Sequence, residues 1–258
     1  MIKRLLPIVE SAGERFKEYY NSRDIEVTHK GEIDLVTQYD IAIEKLLTAE
    51  LAKAFPDFTI IGEESSPKDT IILPGKVIYI DPIDGTTSFV HRFPFTAISV
   101  GVFVDEKPYC AVVCSPILGE TYYAQRGEGA FMNGERIAVS KAERSVDALF
   151  ATGFPYDREF RGEALKIFGR MLAISQGIRR TGSAAMDLCY VARGSFDMYY
   201  ESQLRAWDMA AGILIVEEAG GKVSDIDGNS HDLSTRLLLA TNGILHNEYL
   251  REIRSVNI

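Results

Sequence analysis

The sequence is poor in the residues from which soft-metal and disulfide sites are made. Three cysteines and four histidines are spread through 258 residues. Cys110, Cys114 and Cys189 are odd in number, and no histidine or further cysteine accompanies them at zinc-site spacing, which argues against a disulfide scaffold and against a zinc centre. The first two fall on one side of an apolar strand pattern, so they are expected as buried, reduced thiols of a cytoplasmic protein. Long hydrophobic runs are missing as well. The run from Ala97 to Val104 is far short of the roughly 20 residues that cross a bilayer as a helix. Between Met1 and Pro7 there is no sustained apolar core and no small-residue cleavage site, so no secretory signal is expected. Positive charge is in deficit: 28 Lys and Arg against 37 Asp and Glu give a net charge of −9, and the basic residues are scattered. That balance disfavours a nucleic-acid surface. Internal repeats, low-complexity tracts and linkers are absent too, which excludes a solenoid or a string of modules.

What remains is an ordinary globular composition, 46% apolar and 25% charged, sufficient for a large core. Helical periodicity is expected over 2–20, 38–54, 158–175, 183–193, 207–219 and 244–254. Strand patterns fall near 58–62, 77–81, 97–104, 108–115, 119–125, 148–152, 196–200, 222–225 and 237–241. The break from Asp105 to Pro108 reads as a hairpin, so part of the sheet is expected to be antiparallel. Hairpin runs come early and alternation with helices comes late. This implies an α+β architecture of mixed sheets layered with helices, in one domain spanning 1–258 with a soft lobe boundary near 140–150.

Acidic residues follow directly on two of the strand patterns. Asp81 and Asp84 end the apolar run from Val77 to Ile80 and stand just before Gly85, Thr86 and Thr87, a turn that can open a helix. Carboxylates at the end of a buried strand require a positive partner, and no Lys or Arg lies in that segment, so a divalent cation is the simplest one. The amides of Gly85, Thr86 and Thr87 at a helix start favour an anion beside it. Glu63 and Glu64 follow the strand pattern of Phe58 to Gly62 in the same way; alone they read as a solvated turn more than as a site, and the matching placement is what favours a site. Asp208 precedes an apolar helix and has an ordinary reading as its N-cap. Thr37 and Asp40 form a capping-box pattern. Trp207 reads as core, Lys30 and Gly31 as an exposed turn, and His91 has no ligand spacing. Together Asp40, Glu63, Glu64, Asp81, Asp84 and Asp208 are hard oxygen donors with no imidazole or thiolate among them, which points to magnesium and to phosphate-ester hydrolysis.

The motifs Gly62-Glu63-Glu64-Ser65, Asp81-Pro82-Ile83-Asp84-Gly85-Thr86-Thr87 and Trp207-Asp208-Met209-Ala210-Ala211-Gly212 resemble those of the inositol monophosphatase family. Stretches 34–40, 127–134 and 179–185 resemble it too, so the likeness runs along nearly the whole chain. It implies an αβαβα sandwich of the sugar-phosphatase fold. It also implies two to three magnesium ions: one on Glu63, Asp81 and the carbonyl of Ile83, a second between Asp81, Asp84 and Asp208, and a weaker third near Glu63. Water activation would pass through Glu63, with Thr86 positioned by Asp40. Phosphate would rest on Gly85 and Thr86, with Ile83, Asp84 and Asp208 also in contact with the substrate. Gly182, Ser183, Ala184 and Glu201 would line its alcohol side. Arg179 or Arg180 would reach a hydroxyl or second phosphate, or form a surface ion pair. Arg205 stands where animal members carry histidine.

The expected reaction is magnesium-dependent hydrolysis of myo-inositol monophosphate by a metal-activated water. Fructose 1,6-bisphosphate is the alternative substrate. A 3′-phosphoadenosine phosphatase is disfavoured, because Thr87 and Ser88 stand where that branch carries Lys and Glu. A rival of another class is a regulatory partner of the transcription machinery. The resemblance further implies a homodimer and inhibition by lithium.

Overall fold

The structure is a computed structural model that describes residues 1–67, 74–230 and 232–256. In chain order it contains α1 (Ile2–Tyr20), β1 (Val27–His29), β2 (Leu35–Thr37), α2 (Gln38–Ala54), β3 (Thr59–Gly62), β4 (Lys76–Asp84) and α3 (Thr86–Val90). The strands β5 (Ala97–Val104), β6 (Lys107–Ser115), β7 (Glu120–Gln125), β8 (Gly129–Met132) and β9 (Glu135–Arg136) follow. After them come β10 (Leu149–Thr152), α4 (Arg161–Ile174), β11 (Gly177–Arg179), α5 (Ala184–Ala192), β12 (Met198–Ser202), α6 (Ala206–Glu218), β13 (Lys222–Ser224), β14 (Leu237–Thr241) and α7 (His246–Arg254).

Strands β3 to β9 form a seven-stranded sheet in sequence order, parallel between β3 and β4 and antiparallel elsewhere. A second sheet has the order β11-β10-β12-β14-β13, with β11, β10 and β12 parallel and β14 antiparallel to both its neighbours. Alternation along the strands assigns the layers. Ile78 and Ile80 of β4, with Val100 and Val102 of β5, pack beneath α1 and α2. Val77, Tyr79 and Phe103 face the opposite way, onto α5 and α6. The far side of α5 and α6 meets Tyr199, Leu238 and Ala240 of the second sheet, whose other face, through Phe150, Met198 and Leu239, covers α4 and α7. The result is the expected αβαβα sandwich. Because both faces of β4 and β5 are covered, their apolar runs are nearly unbroken.

Most elements coincide with the sequence patterns, and the differences have local causes. Strand β4 runs on through Pro82 to Asp84, with a register shift between Asp81 and Asp84, so the metal-type carboxylates stand on a kinked strand end rather than beyond it. The hairpin between β5 and β6 turns at Asp105 and Glu106, both at positive φ. The helix expected over 158–175 opens as a 3₁₀ turn at Arg158–Phe160 before α4. Strands β1, β2, β8, β9 and β11 are two to four residues long. At that length periodicity carries no signal. All three cysteines are free and buried.

One buried polar cluster predicts a pH effect on stability. His246 begins α7 with its ring 1% exposed, Nε2 lying 2.9 Å from Ser224 Oγ and Nδ1 2.9 Å from Thr241 Oγ1. Burial, reinforced by Lys222, pushes its pKa down from 6.5 to about 4. Between those values the unfolded chain binds more protons than the native one. The stability contributed by the neutral ring is therefore complete above pH 6.5 and is lost as pH falls toward about 4. Thermal melts of the wild type and His246→Gln between pH 4 and 8 should show the wild type losing up to roughly 3 kcal/mol relative to the variant on acidification.

Candidate active site

The sheet ends converge on a cleft of about 510 Å³ whose lining includes Lys30, Asp34, Glu63, Tyr156, Glu201, Arg205 and Asp208. Asp81 and Asp84 come from β4, Glu63 from the end of β3, and Asp208 from the first turn of α6. They are close enough to repel one another. Burial lifts Asp81 well above the usual carboxylate range, and Glu63, Asp84 and Asp208 add to it. Asp208 is also raised well above that range, by burial and then by Glu63. Asp84 is raised to about 6 by burial, against the bonds it accepts from Ser183 Oγ at 2.6 Å and the Ala185 amide at 2.7 Å.

The ordinary reading of Asp208 as an N-cap gives way to a different geometry. Helix α6 starts at Ala206, so Asp208 is its third residue, and its carboxylate reaches back to accept from the Arg205 amide at 2.6 Å. Trp207 is 4% exposed and contributes both to the core and to the cleft wall.

Asp40 serves its helix and the site at once. Its Oδ2 accepts from the Thr37 amide at 2.8 Å and from Thr37 Oγ1 at 2.5 Å, completing the capping box of α2. Its Oδ1 lies 3.1 Å from Thr86 Oγ1, and that hydroxyl is also 3.1 Å from the carbonyl of Ile83. One hydroxyl has one proton. Directed to the carboxylate, the stronger acceptor, it leaves the Ile83 carbonyl able to bind a cation. Gly85 caps α3 in the left-handed region at φ 85°, and a Cβ there would meet the Gly182 carbonyl at 2.9 Å. Glycine therefore lets the 84–86 turn touch the 182–183 loop, where Ser183 caps α5.

Lys30 does not form an exposed turn. Its side chain is 16% exposed, and Nζ bonds Glu63 Oε1 at 2.8 Å and Glu64 Oε1 at 2.5 Å. Burial alone would lower the ammonium pKa, but Glu63 and Glu64 outweigh it and lift it. A segment 33 residues upstream of Glu63 thus supplies the cation that pairs with this acidic pair. Glu64 is raised to about 7 by burial and by Glu63, and its amide bonds buried Glu44 Oε2 at 2.7 Å. Gly62 makes room for Glu44: a Cβ at 62 would stand 2.3 Å from the Glu44 carboxyl carbon.

On the far side of the cleft Glu201 is raised to about 7 by burial, and Tyr199 donates to its Oε2 at 2.5 Å. A Cβ at Gly153 would overlap that carboxylate at 1.9 Å. Arg180 is felt electrostatically by Glu201 and Asp187. Arg179 instead folds back on the carbonyl of Ile178 at 3.2 Å and lies outside the cleft lining.

Among the described residues no three His, Cys, Asp or Glu side chains close on a common point at ligand distance. Glu63, Asp84 and Asp208 are held apart in hydrogen bonds to Lys30, Ser183 and Arg205. The donor set nevertheless fits a hard divalent cation: all ligating atoms are oxygen, Asp81 and Asp84 are buried, and Asp81 and Asp208 are destabilised as anions by the neighbouring carboxylates.

The model of the inositol monophosphatase family matches residues 1–257. Inositol monophosphatase 2 of Solanum lycopersicum is 40% identical over 95% of this chain and 94% of its own length. The protein named Nus factor SuhB of Escherichia coli is 38% identical over 94% of this chain and 91% of its own. Among solved structures, the extragenic suppressor protein suhB from Bartonella henselae superposes with a TM-score of 0.92 at 36% identity, covering 100% of this chain and 99% of that one. With a family match from end to end and relatives at this identity over nearly their whole length, the chain belongs to the inositol monophosphatase family and is a phosphoric monoester hydrolase.

Proposed function

We propose that the protein hydrolyses myo-inositol monophosphate to inositol and inorganic phosphate with magnesium as its cofactor, in a site made of Glu63, Asp81, the Ile83 carbonyl, Asp84 and Asp208. The observation that carries this reading is the gathering of Glu63, Asp81, Asp84 and Asp208 from β3, β4 and α6 beside the cleft, close enough for burial and mutual repulsion to lift Asp81 and Asp208 well above the usual carboxylate range. Bound there, two to three magnesium ions would neutralise the carboxylates and the phosphate together and make a water nucleophilic near neutral pH.

The chain's own groups divide the remaining work. Asp40 accepts the hydrogen bond of the Thr86 hydroxyl and so turns the Thr86 oxygen lone pairs toward the incoming water. Glu63, held by Lys30, orients that water and accepts its proton as the new P–O bond forms and the ester P–O bond breaks, the departing alcohol oxygen taking up a proton from solvent. The amides of Gly85 and Thr86 carry phosphate at the start of α3. Ser183 and the Ala185 amide fix the angle of the Asp84 carboxylate. Glu201, anchored by Tyr199, faces the hydroxyls of the leaving alcohol with Gly182 and Ala184 beside it.

The test is phosphate release from inositol 1-phosphate, fructose 1,6-bisphosphate and 3′-phosphoadenosine phosphate, each with magnesium and with chelator. Inositol 1-phosphate should be turned over fastest, and chelator should abolish release. Preference for either other ester would reassign the substrate. Activity in chelator would remove the metal from the reading.

The 38% identity to a relative named as a Nus factor favours a second reading, in which the chain also binds a component of the transcription machinery. Pull-down with Asp84→Asn protein separates the two roles, because binding should persist when phosphate release is lost.

A further inference from the structure

Part of the cleft wall is aromatic, and one of its rings has no structural task. Phe154, Tyr156 and Phe160 all line the cleft from the connection between β10 and α4. Phe154 packs on Phe168 with ring centroids 5.8 Å apart, and Arg236 lies 5.7 Å from the centre of the Phe160 ring. Those two rings hold the connection to the fold. Tyr156 makes no such ring contact among the described residues, is 55% exposed, and its hydroxyl has no hydrogen-bond partner among them. An open, unpartnered tyrosine contributes little to folding.

Its placement is nonetheless fixed. Pro155 restricts the backbone before it, and Arg161 Nε bonds the Pro155 carbonyl at 3.3 Å. Asp157 accepts from the Glu159 amide at 3.0 Å, and Arg158 bridges to Glu32 at 2.5 Å across the cleft mouth. The ring is therefore presented by a pinned loop. Its hydroxyl lies within electrostatic range of Asp208, Asp34, Asp84 and Glu63, which disfavour its ionisation and keep it a donor. The side chain thus reaches from its own loop toward the carboxylate cluster, with one face open to the cleft and a donor at its tip.

We propose that Tyr156 is a specificity-determining residue that selects phosphate monoesters of cyclic alcohols, packing its ring against the ring of a polyol or sugar and donating its hydroxyl to a ring hydroxyl. This rests on the reading that the phosphate lies at the carboxylates, since only then does the alcohol reach Tyr156. An aromatic face covers the C–H side of a cyclic polyol in a way it cannot cover a short acyclic alcohol. Contacts made equally in ground and transition states appear in KM rather than kcat.

The experiment measures kcat and KM of the wild type, Tyr156→Ala and Tyr156→Phe with inositol 1-phosphate and with glycerol 2-phosphate, all in magnesium. Tyr156→Ala should lower kcat/KM for inositol 1-phosphate by about tenfold, mainly through KM, and change glycerol 2-phosphate by less than about threefold. Tyr156→Phe should keep the ring's share and lose only the hydroxyl's, about threefold. Melting temperatures should match the wild type, because the side chain is exposed. Equal losses on both substrates, or no change on either, would overturn the assignment while leaving the phosphatase reading standing. A wild type that releases phosphate from neither ester would overturn both.

Discussion

Asp84→Asn should lower the kcat of magnesium-dependent phosphate release by at least about 10³-fold and, in chelator, raise the melting temperature by roughly 6 to 12 °C. The two effects have one cause. Asparagine has the shape of aspartate, and its side-chain oxygen can accept the same bonds from Ser183 Oγ and the Ala185 amide. Only the charge is removed. In the metal-free protein that charge is a burden: Asp84 titrates near 6 rather than 3.8, chiefly because it is buried. Between those values the native state binds more protons than the unfolded one, so stability falls as pH rises and the whole penalty, roughly 3 kcal/mol, is present at pH 7.5. Neutralising the side chain removes the penalty and removes a cation ligand in the same step. Magnesium should accordingly stabilise the wild type in thermal melts and stabilise the variant much less. A variant damaged in folding would lose both activity and melting temperature, so the opposed signs identify the cause. Unchanged magnesium-dependent release by Asp84→Asn would end the assignment of the carboxylate cluster.

Gly101→Ala should destabilise the protein by about 3 kcal/mol, a fall of roughly 6 to 12 °C in melting temperature, although it adds one methyl group. Gly101 lies in β5 beneath α6. A Cβ there would stand 2.6 Å from the backbone carbonyl carbon of Ala210 and 2.7 Å from the Ala211 amide nitrogen. Helix backbone cannot rotate aside as a long side chain can. The other flank of the helix is equally close, since a Cβ at Gly212 would meet Leu188 of α5 at 2.4 Å. Helix α6 is thus gripped between sheet and helix, and the methyl must push it off the sheet. Asp208 rides on the same turn, two residues before Ala210, so kcat should fall about tenfold or more even where the variant is folded. Gly169→Ala is the control within the same chain: its Cβ would meet nothing within 4 Å on α4, and it should stabilise by about 0.5 to 1 kcal/mol. A Gly101→Ala melt within 2 °C of the wild type would show that the helix has slack the packing does not reveal.

Much of the candidate site was legible because its acids are punctuation. Glu63, Asp81 and Asp84 each interrupt or end an apolar strand, where a buried charge is conspicuous, and Asp208 opens an apolar helix. The capping box at Thr37 and Asp40 was legible for its local role. Lys30 was not. It has no periodic neighbours, and its pairing with Glu63 and Glu64 is made across the fold. Glu44 of α2 carries no sequence signal of burial, yet it is 4% exposed because Gly62 admits it. Tyr156 sits in an irregular segment where no spacing distinguishes a cleft wall from a surface side chain. The choice between Arg179 and Arg180 turns on a three-residue strand, too short for alternation to settle.

The long elements, the layered α+β class and the hard-oxygen character of the site can be read along the chain, since they follow from apolar period, turn chemistry and donor type, all of them local. Which acids stand together, that a distant lysine holds two of them, how closely α6 lies on the sheet, and which aromatic ring is left open to the cleft emerge with the packed fold. Those facts are distances between residues far apart in sequence. They are set by how the layers pack, and no local pattern encodes them.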